Sequence, residues 1–453
     1  SKWFNAVHVR GTEIDIRALL SIDYVDRIDF ANKNLSSLSR SLATQDKTDI
    51  EDQKVMFTYG TTQNQVEMIN ADNLHLEDFT GEGITIAVMD SGFPNVQTMG
   101  AFQRLKANGD LLGGYDFVNR NANVYASTAS SHGTRVLSTM AGFVEDEFVG
   151  TAPDASYYLF LTEDVGSENP VEESYWVEAA ERADSLGVDM INTSLGYRVF
   201  DNPNYDYTPA DMNGQVSFIS KGASIAAEKG ILVVVSAGNA GATDWQTIGA
   251  PADSPDVLSI GGVDANGDYV SFSSQGGGAQ VGYQKPDVVA RAASAFVVDE
   301  NNSITQNSGT SFSSPILCGG IASLWQAIPE ATPIEVMNYV RQSASQFTTP
   351  DDFLGYGIPD LYLARSLALS LGDAEMADVA LFPNPVKTGL NVAFPMSINA
   401  CELKIYNALG QEVLRGTLQN ELNRVDVSNL ASGLYIIKLS TEKNSKTLIF
   451  IKH

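Results

Sequence analysis

The chain has 453 residues, 43% of them hydrophobic, and carries 55 Asp and Glu against 28 Lys and Arg, a formal net charge of −27. That balance argues against a nucleic-acid or anionic-membrane partner, since both require a basic surface. Two cysteines, Cys318 and Cys401, exclude a disulfide framework and a Cys-rich zinc site, and the longest strongly apolar run, "ILVVV" at 231–235, is far too short for a transmembrane segment.

At roughly 150 residues per domain the length suits about three domains. Residues 1–34 read as strand, helix, strand: "WFNAVHVR", "EIDIRALLS", "VDRIDF". The sequence starts inside a strand-like stretch, so the expectation is that an N-terminal piece precedes it. "SSLSRSLATQDKTDIEDQK" (36–54) is polar and aperiodic, the pattern of an exposed linker. From 55 to 371 buried strands alternate with helices. "ITIAVMD" (84–90), "VDMINTSLG" (188–196) and "ILVVVSAGN" (231–239) are the strands, while "SHGTRVLSTMAGF" (131–143), "VEESYWVEAAERADSLG" (171–187) and "KGASIAAEKG" (221–230) are the helices. This rhythm predicts an α/β domain, a mostly parallel sheet with helices on both faces. "LGDAEMADV" (371–379) suggests a second linker, at 372–379. Beyond 380 only short alternating segments remain, including "CELKIYNA", "QEVLRGTL" and "GLYIIKLST", which predict an all-β antiparallel sandwich.

Histidine is scarce: His8, His75, His132 and His453 are the whole set. No pair has the HExxH spacing of a zincin, and no G-x-S-x-G elbow occurs. Three stretches of the α/β region share one arrangement, a reactive side chain beside glycine at a strand end or helix start. These are Asp90 in "VMDSG", His132 in "SHGT" and Ser311 in "SGTSFSSP". In an open α/β sheet such positions converge on the crevice beyond the carboxyl ends of the strands. A serine becomes nucleophilic when an imidazole takes its proton, and a carboxylate holds that imidazole in the right tautomer. Each stretch alone reads as a turn, a structural histidine or a helix cap; the order Asp, His, Ser makes the trio specific.

Residues 75–365 resemble the catalytic domain of the subtilisin-like serine peptidases, through "GITIAVMDSGF", "SHGTRVLSTMAG", "INTSLG", "VVSAGNAG", "QKPDVVA" and "SGTSFSSP", in the family's order. The resemblance implies a secreted endopeptidase that cleaves protein and peptide substrates through an acyl-enzyme. Ser311 would be the nucleophile, His132 the general base and acid, Asp90 the orienting carboxylate and Asn239 an oxyanion donor. It implies substrate binding along Ser194, Leu195 and Gly196, with Gly249 at the floor of the primary pocket, hence a large apolar P1 residue. No cofactor is implied for catalysis. Structural Ca²⁺ is possible by the same resemblance, at sites unknown; "DANGDY" (264–269) fails the EF-hand pattern, because its glycine falls at the fourth position of the loop. The chain departs from the family where a second histidine is usual, at Arg135, at Leu137 and Ser138, and at Tyr197, a position common to glycine, where the ring is expected to narrow or roof the cleft. Cys318, inside the apolar helix after Ser311, reads as packing.

Residues 1–35 resemble part of a subtilisin propeptide, an inhibitor of its own enzyme, with 36–54 as the processing linker. Residues 380–453 resemble the C-terminal sorting domain of type IX secretion, through "LFPNPVKTGLNV", "KIYNALGQEVL" and "LASGLYIIKL". The implied partners are the propeptide itself and the secretion machinery, and the implied location is extracellular or cell-surface. The alternative reading is a catalytically inactive member acting as a surface adhesin.

Overall fold

Strands that are apolar on both faces must be covered on both faces, and that sets the architecture. The computed structural model describes residues 57–277, 279–280, 282–377, 380–393, 401–407, 411–418, 422–440 and 445–453, with Ile16, Arg17, Leu19 and Val25. The strand–helix–strand reading of 1–34 and the linker at 36–54 lie outside the described residues but for those four. Contacts divide the chain into two units, 1–54 and 55–453.

In the larger unit seven strands form one sheet: β1 (Thr85–Asp90), β2 (Leu111–Asp116), β3 (Ser156–Leu161), β4 (Met190–Thr193), β5 (Leu232–Ser236), β6 (Leu258–Val263) and β7 (Val288–Arg291). Their order is β2-β3-β1-β4-β5-β6-β7, and every pairing is parallel. Side chains alternate between two cores. Ile86, Val88, Leu232 and Val234 enter one; Ala87, Met89, Val233 and Val235 enter the other. The first core lies beneath α1 (His132–Ala141) and α4 (Thr310–Ala327), the second beneath α2 (Val171–Leu186) and α3 (Phe218–Glu228). Every residue of α4 from Thr310 to Trp325 is buried, the pattern of a central helix. Cys318 packs within it, its thiol pushed well up by burial.

After β7 the chain makes an antiparallel hairpin, β8 (Ala295–Val298) and β9 (Ile304–Asn307), and enters α4 directly. Then follow α5 (Pro333–Gln342) and α6 (Leu361–Ala377). The linker expected at 372–379 is therefore helical through Ala377: one glycine costs a helix only about 1 kcal/mol, and the Ala, Glu and Met after it are strong helix formers. The C-terminal region holds two antiparallel sheets. One contains β10 (Ala380–Phe382), β11 (Gly389–Ala393) and β14 (Leu422–Asp426); the other contains β12 (Cys401–Asn407), β13 (Glu412–Leu418), β15 (Gly433–Ser440) and β16 (Ser445–Lys452). Leu390, Val392, Leu403, Ile405, Ile437 and Leu439 alternate into one shared core, as a sandwich requires. Among the described residues no helix is long and apolar enough to cross a membrane.

Candidate active site

The three predicted reactive residues come from separate elements. Asp90 ends β1, His132 opens α1 and Ser311 is the second residue of α4. β1 is a switch point, because the chain goes from it to β2 and β3 on one side and to β4 on the other. In an open α/β sheet the carboxyl edge at such a switch point is where the crevice forms.

Asp90 is fully buried. Its Oδ1 accepts from the Ser91 N–H at 2.7 Å, from the Ser91 hydroxyl at 3.2 Å and from His132 Nδ1 at 2.7 Å. A carboxylate acceptor keeps the imidazole proton on Nδ1 and leaves Nε2 with its lone pair. Burial pulls the His132 imidazole down; the charge of Asp90 and its hydrogen bond outweigh that, so His132 titrates above its ordinary value, with Arg135 opposing. The close approach depends on Gly133: a Cβ there would fall 2.6 Å from the Gly92 carbonyl oxygen and 2.9 Å from Asp90 Cβ. The glycine of "SHG" thus lets the helix start press against the strand end.

Ser311 is held by uncharged ties. Gly309 before the helix has φ 149°, a region that disfavours side chains. The Asn239 amide oxygen accepts the Thr310 N–H at 2.8 Å and the Thr310 hydroxyl at 3.1 Å. With its oxygen so engaged, Asn239 keeps Nδ2–H₂ as a donor, and a Cβ on Gly309 would sit 3.4 Å from that nitrogen. Pro315 lacks the N–H that would bond the Ser311 carbonyl four residues back. That carbonyl instead accepts the Ser194 hydroxyl at 3.0 Å. In return the Ser311 hydroxyl donates to the Ser194 carbonyl at 3.4 Å, a long bond, and not to His132. Phe312 brings its ring 5.9 Å from the His132 ring, centre to centre. The Ser314 hydroxyl, one turn further on, reaches Asn192 of β4 at 3.0 Å.

The four substrate-binding candidates also converge. Ser194 is buried, Leu195 half-buried and Gly196 exposed, just past β4. Tyr197 and Ala250 exchange backbone bonds of 2.8 and 3.1 Å, which brings half-buried Gly249 beside that edge. The expected roof of Tyr197 is not formed. Its side chain is 1% exposed and belongs to the core, stacked on Phe200, with its hydroxyl donating to Glu163 Oε2 at 2.6 Å. Alternation along an extended segment explains the correction: Gly196 faces out, so Tyr197 faces in.

Glu163 opens the acidic stretch "EDVGSE" (163–168), which by sequence reads as solvated surface, whereas the structure half-buries it. It lies just past β3, and with Glu168 and Glu172 it presents ligand-type atoms within 4.8 Å of one another. Burial pushes Glu163 up to about 8 and Glu168 up to about 7, and the neighbouring carboxylates add to both. The two Glu172 oxygens accept the Asp164 and Asn169 N–H groups. Both bonds staple the 163–172 loop. Asp264 in "DANGDY" likewise receives the Asn266 and Asp268 N–H groups and closes a turn.

Residues 81–357 match the Subtilase family, residues 1–49 match a peptidase S8 propeptide domain of Bacteroidota, and residues 380–453 match a secretion-system C-terminal sorting domain. The propeptide match runs into the stretch read as a linker. Subtilisin DY of Bacillus licheniformis is 29% identical over 282 residues, 62% of this chain and 90% of the relative. Subtilisin E of Bacillus subtilis strain 168 is 28% identical over 282 residues, 62% of this chain and 65% of the relative. Among solved structures, MycP1 from Mycobacterium smegmatis superposes with a TM-score of 0.53 at 22% identity, covering 69% of this chain and 86% of that one, which supports the fold.

Proposed function

The chain belongs to the subtilase family, as a secreted or cell-surface serine endopeptidase with a sorting tail, and on that premise we propose that Asp90, His132 and Ser311 carry its catalysis. The observation that supports this reading most directly is the 2.7 Å bond from His132 Nδ1 to fully buried Asp90, at a crevice shared with the start of α4. His132 Nε2 takes the Ser311 proton as Oγ attacks the scissile carbonyl. The developing oxyanion is met by Asn239 Nδ2–H₂ and the Ser311 N–H, whose place in the first helical turn leaves it without an intrahelical acceptor. His132 then protonates the leaving amine, and water, activated by the same imidazole, releases the acyl group from Ser311. The substrate backbone pairs with residues 194–196 as an added strand, and the glycine at 249 leaves room for a large apolar P1 side chain. For the proton to transfer, the Ser311 hydroxyl must turn from Ser194 to His132.

The same reading makes 1–35 an inhibitory pro-segment, 36–54 the place where it is cut, 55–371 the catalytic domain and 380–453 the signal for type IX secretion. Structural calcium has no assigned site.

A fluorophosphonate probe tests the catalytic reading: an adduct on Ser311 of the wild type and none on Ser311→Ala is the expected result. No adduct on either, with the fold intact, favours the inactive adhesin. Mass spectrometry of the same two proteins reports processing; if both retain residues 1–34, self-cleavage is overturned. A P1-varied peptide series tests the pocket, and a preference for Arg or Lys overturns its apolar assignment.

A further inference from the structure

Two departures from the family pattern on α1, Arg135 and Ser138, share one neighbour. Arg135 stands one turn after His132 and on its face of the helix. Its Nη2 meets Glu300 Oε2 at 2.9 Å, in the turn of the β8–β9 hairpin, and its Nη1 donates to Asn307 Oδ1 at 3.3 Å, at the hairpin's end. Ser138, a turn further on, donates its hydroxyl to the Arg135 carbonyl at 2.6 Å and accepts the Val298 N–H at 2.9 Å. The hairpin therefore touches α1 at its turn, at β8 and at the end of β9, and four residues after Asn307 the chain reaches Ser311.

We propose that Arg135 and Glu300 are positioning residues, a charged clamp that fixes the helix start carrying His132 against the hairpin leading into Ser311. The proposal rests on the catalytic reading above and adds to it a device outside the triad. Neutral packing would hold two elements together equally well. Here an arginine is used even though its Nε is buried without a hydrogen-bond partner among the described residues, which costs free energy. The charge has a second effect. Arg135 disfavours the protonated His132 ring, opposing Asp90, and Glu300 neutralises part of that charge. The Glu300 carboxyl is held below its ordinary range, first by its own backbone N–H and then by Arg135 and the Ser131 hydroxyl at the helix cap. Thus the charged groups bearing on the ring are Asp90 from β1, Arg135 from α1 and, through Arg135, Glu300 from the hairpin; α4 contributes the uncharged Phe312.

The signs follow. The acid limb of kcat/KM reports the base of the free enzyme, His132. Arg135→Gln removes a cation near it, so the limb moves to higher pH; Glu300→Gln leaves the cation uncompensated, so the limb moves to lower pH. Each shift is on the order of half a pH unit. Arg135→Lys keeps the charge but loses the two-pronged grip, so kcat falls roughly three- to tenfold with the limb in place and KM unchanged. The test compares pH profiles of these variants with the wild type on one peptide, and follows the His132 ring resonance by NMR titration with and without Arg135→Gln in the Ser311→Ala protein. Opposite shifts support the clamp. Limbs that stay put, or move the same way in both neutral variants, overturn it. If the wild type neither cleaves peptide nor takes the probe, the catalytic reading has failed, and the His132 titration still decides the clamp: a ring pKa unmoved by Arg135→Gln overturns it.

Discussion

The two helix starts that meet at the crevice are held by opposite means. At α1 the reactive side chain itself is gripped: His132 is bonded to a buried carboxylate, lies beside Phe312 and is lifted above its ordinary pKa. At α4 the backbone is gripped and the side chain is not. Asn239 holds Thr310, Ser194 holds the Ser311 carbonyl, and among the described residues the Ser311 hydroxyl makes one 3.4 Å bond. A base needs a fixed tautomer and orientation, whereas a nucleophile needs a fixed origin and a free torsion. Charge serves the first requirement; neutral hydrogen bonds serve the second without perturbing the hydroxyl.

The contrast can be broken most forcefully at the gripped side chain and at the proposed nucleophile. Ser311→Ala is expected to lower kcat by about 10⁶, and Asp90→Asn by about 10⁴ with the fold retained, because an amide no longer fixes the Nδ1 proton; steady-state kinetics on a peptide anilide reads both. Asn239→Ala removes the proposed oxyanion donor, for which the loss known in subtilisins is about 10²–10³ in kcat with KM little changed. It also frees the Thr310 N–H, and the melting temperature of the same variant reads that structural part separately: an unchanged value with a lowered kcat assigns the effect to the missing donor.

Pro315→Ala sharpens the comparison at the neutral end. The restored N–H competes with the Ser194 hydroxyl for the Ser311 carbonyl, so kcat should fall about fivefold, the net worth of one hydrogen bond, while thermal stability holds or rises. An unchanged kcat would show that the cross-tie is dispensable. The smallest effect lies under the substrate edge. Glu163 has its folded pKa raised to about 8 from an ordinary 4.5, so the folded state binds the extra proton and stability falls as pH rises between those values. Glu163→Gln abolishes that dependence. Its melting temperature should exceed the wild type's by more at pH 9 than at pH 5; equal differences at both would overturn the assignment.

Much of the proposed site was legible because its residues sit in short stretches. Asp90, His132 and Ser311 each stand beside a glycine, and the structure gives the reason for two of them, close approach at Gly133 and backbone angle at Gly309. Tyr197 was misjudged because inward and outward positions alternate, and nothing local tells which side of the edge segment faces the cleft. The linker after Leu371 was misjudged by weighting one glycine above the helix formers around it. Glu163, in "EDVGSE", and Glu300, in "VDENN", sit in acidic loop stretches that look like solvated surface until Tyr197 or Arg135 is seen against them.

By itself the sequence determined the α/β rhythm, the antiparallel tail, the trio and its order, since these depend on periodicity and on residue types within a few positions. Tertiary structure alone decided which partners complete them. Asn239 with Thr310, Ser194 with Ser311 and Arg135 with Glu300 are separated by 71, 117 and 165 positions. A hydrogen bond or ion pair is short-ranged in space and blind to distance along the chain.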